Sequence, residues 1–247
     1  MTTPQAVPGR NDDMPRSAGD GRERVRAVSR AASALAGRIG RRVGWAALAA
    51  LLLPACTILP KAEPVDVYLL PSAASVAAPV GKAAQAAPWS LRIARPAAGV
   101  HLSGQRIVVV PGDNRVSVYK GAGWSDPAPV LVRDRLLEAF RADGRIAALS
   151  SDDRQLQADL ELDSDLRAFH SEYRDGHPEA VLRLDARLVH TATRRIVASH
   201  SFEQRVPATD AAVPAVVQAF GSAGDRLAAE VVEWTVREGA GQAGGPR

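Results

Sequence analysis

The sequence predicts an α+β fold, a largely antiparallel sheet with two helices packed on it in a single domain. Three observations predict it. Apolar and polar residues alternate in three runs between residues 156 and 206. Two stretches, 127–142 and 213–236, repeat apolar residues at helical spacing. Residues 65–119 offer several short β-branched runs. Helices grouped against strands that follow one another through turns make a two-layer α+β sandwich.

Taken in order, residues 65–70 (VDVYLL) read as a strand. Residues 71–88 (PSAASVAAPVGKAAQAAP) are small, Pro-punctuated and nearly uncharged, which predicts a flexible insertion. Strand character resumes at 89–96 and in the β-branched run 105–111, with a further short strand at 116–119. Asp126-Pro127 resembles an N-cap followed by proline at the first helical position, where the missing N–H has no partner to lose. Val132, Leu136 and Phe140, beside Leu137, carry that helix to about Ala142, before Gly144. Residues 146–149 begin the second half. Leu156 to Ala168 alternate with Asp159, Glu161, Asp163 and Asp165, and residues 180–190 and 195–206 alternate likewise around a turn at 191–194. Thr209-Asp210 then caps a helix through Val213, Val217, Phe220, Leu227 and Val231 to about Val236. Residues 237–247 read as a disordered tail.

Residues 1–55 belong to a different class. Arg38, Arg41 and Arg42 precede the apolar run 44–53 (GWAALAALLL), and Ala55 stands directly before Cys56, the chain's one cysteine. A basic region, a short apolar region and a small residue at the cut form a secretory signal. Cysteine at the cut is the mark of a lipobox: the thiol takes a diacylglyceryl group and Cys56 becomes the lipidated first residue. Ten apolar residues make about 15 Å of helix, half of a ~30 Å hydrocarbon core. An uncleaved anchor over 43–59 is the other reading, and Pro54 interrupts it. The first forty residues are polar and Arg-rich, which fits a cytoplasmic leader or an over-extended start. The domain plan is therefore a leader and signal (1–55), a lipidated tether (56–64), a domain (65–236, with the insertion 71–88) and a tail (237–247).

Charge follows that division. Residues 1–55 hold 9 of the 31 basic and 4 of the 27 acidic residues, leaving 22 against 23, a net of −1. The high isoelectric point belongs to the leader, so it gives no reason to expect nucleic-acid binding. With Cys56 committed to lipid, no internal disulfide and no thiolate metal site is expected.

Candidate chemistry is sparse. Asp159, Glu161, Asp163 and Asp165 lie nearly 7 Å apart along one strand face, too far for four carboxylates to meet one ion at ~2.3–2.6 Å. A wet strand face, neutralised across the hairpin by Arg183 and Arg187, is the expected role. His101, His170, His177, His190 and His200 show no ligand spacing. His170 and His177 read as turn residues, and His200 as a core or edge histidine. No G-x-S-x-G or phosphate loop occurs. The chain is expected not to be an enzyme, with no catalytic residues, cofactor or metal. Of its 11 aromatic residues, Tyr119 and Trp124 fall together in the loop VYKGAGWSDPAP. They either lid the core beneath the first helix or form a recognition loop.

Cys56 followed by Val67-Tyr68-Leu69-Leu70, the stretches 91–96 and 102–107, Tyr119, Trp124, Pro127 and Pro129 running into a helix, the strands 182–189 and 196–202, and the closing helix form an ordered set over 56–236. That set resembles the ABC-type transport auxiliary lipoproteins, which include paraquat-inducible protein C. Departures are Pro54, the insertion and the N-terminal extension. The resemblance implies a non-catalytic partner of an inner-membrane ABC-type permease and ATPase and of mammalian-cell-entry (MCE) domain proteins bridging the periplasm. It would place the chain on the inner leaflet of the outer membrane, facing the periplasm and held by acyl chains on Cys56. Thr57, which is not Asp, agrees with outer-membrane sorting. The sheet or the loop bearing Tyr119, Trp124 and Pro127 would dock the MCE tip while lipid passes unchanged. A homo-oligomeric ring would suit such a conduit. The second expectation is an outer-membrane lipoprotein that activates another envelope machine, such as a cell-wall synthase.

Overall fold

The structure, a computed structural model, describes residues 64–72, 86–112, 115–154 and 156–241. Cys56, the signal, the tether to residue 63, residues 73–85 of the insertion and residues 242–247 lie outside the described residues. Among the described residues nine strands and two α-helices follow in order: β1 (Asp66–Tyr68), β2 (Leu91–Ile93), β3 (Ala97–Ala98), β4 (Arg106–Val110), β5 (Ser117–Trp124), α1 (Ala128–Asp143), β6 (Leu149–Ser151), β7 (Leu160–Arg174), β8 (His177–His190), β9 (Arg195–Pro207) and α2 (Val213–Ala240). No helix among the described residues is long and apolar enough to cross a membrane.

The sheet is mixed, which corrects the largely antiparallel expectation. β7, β8 and β9 form an antiparallel meander, with pairing from Leu160↔His190 to Arg174↔His177 and from Glu179↔Pro207 to His190↔Arg195. Because β8 occupies one edge of β7 along its length, the other edge receives β2, β3 and β4 in succession, all parallel to it (Leu91↔Leu160, Ala97↔Asp165, Val109↔Ser171). β6 adds parallel to β2 and β1 parallel to β5, while β4 and β5 are antiparallel. Every parallel pair joins strands more than fifty residues apart in the chain, long enough for the chain to return to the same end of the sheet and run the same way. Alternation reports which face is buried and nothing about strand direction.

Several boundaries move for local reasons. β7 continues six residues beyond Ala168 because Arg167 is an extra residue opposite Leu184 and Arg183. The bulge reverses the inward phase from Leu160, Leu162 and Leu166 to Phe169 and Ser171. The expected loop between His170 and His177 contracts to a two-residue turn. Asp175 and Gly176 take φ of 52° and 80°, the positive pair of a type I′ hairpin. His170 therefore sits on a strand, where its Nε2 meets Glu172 at 2.9 Å. α1 begins one residue later than expected, with Pro127 at the cap, and stops at Gly144 in the left-handed region (φ 74°). α2 runs to Ala240, past the expected end at Val236. Gly239 lies in this added turn, where a Cβ would run into the Trp89 indole, so glycine lets that ring lie against the helix.

α2 packs across β8 and β9, and α1 packs on α2 and on β2 and β6. The core between helices and sheet holds Leu91, Ile93, Ile107, Leu136, Phe140, Leu162, Leu182, Leu184, Phe220 and Val231. The opposite face of the meander is polar.

Candidate docking surface

The loop expected from Tyr119 onward is a strand. β5 pairs with β4 at Val118↔Val108, bulges through residues 119–122 with Gly121 at φ 66°, and rejoins β4 at Gly123↔Arg106. There it also meets β1 in parallel, Val67↔Gly123 and Tyr68↔Trp124. The Trp124 N–H donates to the Gln105 carbonyl, the Ser125 N–H to the Tyr68 carbonyl at 2.9 Å, and Gln105 Nε2 to the Ser125 carbonyl at 2.7 Å. A Cβ on Gly123 would lie 3.0 Å from the Gln105 carbonyl oxygen, so this three-strand junction uses a glycine for close approach.

These bonds turn the Trp124 ring inward. It is 2% exposed and stands edge-on to Phe169 (5.6 Å, 66°) and Phe220 (5.2 Å, 84°). Of the three residues expected at a recognition site, Trp124 is thus a core residue and presents no atom to a partner. Pro127 is half-buried at the head of α1, where its carbonyl accepts from Val130 at 2.9 Å and Leu131 at 3.1 Å. Tyr119 is also half-buried and its hydroxyl donates to Ser171 Oγ at 3.2 Å. Burial pushes that phenol above its usual range, against the pull of the Ser171 bond and with a push from Tyr173.

Arg135 escaped the sequence reading altogether. It sits on α1 with a side chain 7% exposed and forms an ion pair with Asp225 on α2. Its Nη2 donates to the carbonyls of Leu70 (3.0 Å) and Pro71 (2.6 Å). The segment after β1 is therefore pinned to both helices. Gly221 and Gly224 on α2 make room for it: a Cβ on Gly221 would fall 2.7 Å from the Pro71 carbonyl oxygen. The one available signal was Gly221-Ser222-Ala223-Gly224, a small-residue stretch inside an otherwise bulky helical face.

The four expected acidic residues are all engaged. Asp159 Oδ2 accepts from the Ser90 N–H (2.8 Å) and hydroxyl (2.7 Å), and Glu161 pairs with Arg92. Arg187 reaches Asp163 (2.8 Å) and Asp165 (2.9 Å), while Arg183 pairs with Glu203 on β9 (3.0 Å) and not across the β7–β8 hairpin. Arg167 meets Asp185 (2.7 Å), and Arg205 meets Glu172 and Glu203, both at 2.7 Å. Hydrogen bonds from Arg167 and Ser201 hold Asp185 below the usual carboxylate range, and Arg183 and Arg205 do the same for Glu203. At Glu172 burial pushes upward, but Arg205 and His170 outweigh it and the carboxyl is lowered. Among the described residues no group of three or more His, Cys, Asp or Glu is placed to hold a metal ion.

The fold does bring Ser90, Asp159 and His190 to one cleft of about 460 Å3. The Ser90 hydroxyl bonds directly to Asp159, and no hydrogen bond joins it to His190. The Ser90–Asp159 bonds tie the residue before β2 to the residue before β7, a lock at the strand ends. His200 is exposed on the edge strand, its ring 4.7 Å from Phe202 and stacked at 6.3 Å on Trp234.

With the geometry in place, comparison with known proteins assigns the family. The model of the ABC-type transport auxiliary lipoprotein component matches residues 68–232. The chain belongs to this family. Protein XCC0632 from Xanthomonas campestris, a DUF330 protein of known crystal structure, is 30% identical, with a TM-score of 0.66 over 72% of this chain and 99% of that one. The uncharacterized protein bll6063 of Bradyrhizobium diazoefficiens is 35% identical over 159 residues, 64% of this chain; the match spans 42% of that relative's length. Another crystal structure of an uncharacterized protein shares the fold, at a TM-score of 0.54 and 16% identity over 70% of this chain. The family is described as an auxiliary lipoprotein component of ABC-type transport.

Proposed function

We propose that this auxiliary lipoprotein is a non-catalytic, lipid-anchored end-piece of an ABC/MCE-type lipid transport system, docking the periplasmic MCE assembly at the outer membrane. The family match over 68–232 carries the transport assignment. Lipidation at Cys56 is inferred from the sequence before and at that residue. The non-enzymatic part is supported by how the polar groups are used, since the carboxylates and guanidiniums of the meander are engaged with one another. Docking is assigned to the β5–α1 junction, where Asp126 is exposed and Pro127 half-buried just after the buried Trp124, with half-buried Tyr119 further back on β5. Trp124 acts here by holding that junction in place.

In-cell photo-crosslinking of the full, tagged chain tests this. A benzoyl-phenylalanine at Asp126 is expected to capture an MCE-domain protein, and the same group at Gln218, exposed on α2, is expected not to. Capture of cell-wall enzymes with no MCE protein would replace this function with that of a synthase activator.

A further inference from the structure

The strand nearest the expected anchor carries an apolar stripe that the domain does not use. Tyr68 and Leu70 turn from β1 towards the core. Val65, Val67 and Leu69 alternate with them and turn away, 57%, 66% and 74% exposed. Among the described residues only β5 pairs with β1, which makes it an edge strand there. In register across the sheet, Val67 stands opposite Gly123 and Gly123 opposite Arg106. Register partners share a face, so the Arg106 guanidinium rises beside the stripe across a strip of glycine. Lys120 is exposed in the adjoining bulge, next to Gly121, whose Cβ position is 3.9 Å from the Pro64 carbonyl oxygen. Among the described residues neither Arg106 nor Lys120 pairs with a carboxylate, whereas Arg167, Arg187 and Arg205 on the meander each do; Asp66, exposed on β1, alternates with Val67 and so lies on the other face.

We propose that Val65, Val67 and Leu69, with Arg106 and Lys120 beside them, form a membrane-contact surface that seats the domain on an anionic bilayer. The inference rests on Cys56 being the lipid anchor. Eight residues separate Cys56 from Val65, and the nine steps between them span about 30 Å at most when fully extended. The stripe is thus the part of the domain nearest to the anchor along the chain. Apolar side chains flanked by cations are the composition that settles at a lipid headgroup boundary. The clamp by Arg135 on the Leu70 and Pro71 carbonyls, with the Ser125–Tyr68 bond, fastens the stripe to both helices. Contact through it therefore fixes the orientation of the whole domain, and presents the neighbouring β5–α1 junction at a set height above the membrane.

The test uses the full chain, lipidated in cells and reconstituted in phosphatidylethanolamine–phosphatidylglycerol vesicles. Once Cys56 carries lipid, a Val67→Cys variant takes a single nitrobenzoxadiazole label, as does a Gln218→Cys control. Spin-labelled lipids are expected to quench the probe at position 67 severalfold and leave position 218 unchanged. Adding Arg106→Glu and Lys120→Glu, or replacing phosphatidylglycerol with phosphatidylcholine, is expected to remove most of that quenching while leaving the thermal melt unchanged. An unquenched probe at 67 on a protein that does carry palmitate overturns the seating and leaves the anchor standing. A probe at 67 shielded only when an MCE-domain protein is added overturns it too, and makes β1 an edge for a protein strand. A chain that takes no palmitate at Cys56 overturns the anchor, and the seating with it.

Discussion

Residues 160–207 and residues 64–124 build the two sides of one sheet by different means. The first is a meander of three strands of 15, 14 and 13 residues, in which neighbours in sequence are neighbours in space. The second is five short strands, β1 to β5, interrupted by Pro96, a 3-10 turn at Val100–Leu102 and the bulge at Gly121. Many equivalent ladder bonds hold the meander, so no single residue decides its shape. The patchwork depends on particular residues: Trp124 beneath it, Arg135 clamping its first segment, and Trp89 seated on Gly239. Single substitutions should therefore be felt unequally on the two sides.

Trp124→Ala should have the largest effect. The ring joins β5 to Phe169 on β7 and Phe220 on α2, and truncation of a buried tryptophan costs about 3–5 kcal/mol. Urea unfolding measures it directly. A loss below about 1 kcal/mol would mean that the aromatic cluster tolerates collapse and that the patchwork has another keystone.

Arg135→Ala comes next. It leaves two carbonyls and Asp225 without their guanidinium, which costs about 2–3 kcal/mol because Asp225 retains some access to water. Amide exchange over 64–72 should rise with it while β7–β9 stay protected. Equal loosening of both regions would show that the two sides unfold as one unit. Arg135→Lys keeps the charge but not the fork, and should recover only part of the loss. Gly239→Ala follows, at about 1–3 kcal/mol, since the added methyl must push the Trp89 ring off the last turn of α2. A near-neutral result in a thermal melt would mean that this turn frays readily.

Legibility in the sequence divides along the same line. The three alternating runs and both helices could be read from residues 128–236, because periodicity repeats over many positions. In β7 the reading stopped at Ala168, where the Arg167 bulge reverses the phase and makes Phe169 look like the start of a loop. In the patchwork β1, β2 and β4 show as short apolar or β-branched runs, while β3, with two residues, is too short for any pattern to show. Parallel pairing was hidden for a different reason: the partner edge of β2 to β4 lies some seventy residues away and leaves no local trace. Arg135 looked like any surface cation on a helix, since nothing near it in sequence reveals Leu70 and Pro71. Trp124 was recognised as important in both of its candidate roles, and only three-dimensional packing could place it inside.

The smallest effects belong to the charged face of the meander. Arg187→Ala removes contacts to Asp163 and Asp165, yet all three groups are partly exposed, so about 0.5–1 kcal/mol is expected. Acid reaches the whole lattice at once and gives the sharper comparison. Asp185, Glu203 and Glu172 are lowered in the folded protein, so protons bind the unfolded chain more tightly there. Their contribution is complete above the ordinary carboxylate range near pH 4 and is lost as pH falls through their lowered values. Thermal melts from pH 6 to 3 should show stability falling below about pH 4, less steeply in 1 M salt, where exposed ion pairs are screened within about 3 Å. The Arg135→Ala variant should fall in parallel with the wild type, because its defect lies in the other half. A steeper fall in that variant would mean that the clamp and the lattice are coupled, and that the two sides of the sheet share more than a strand.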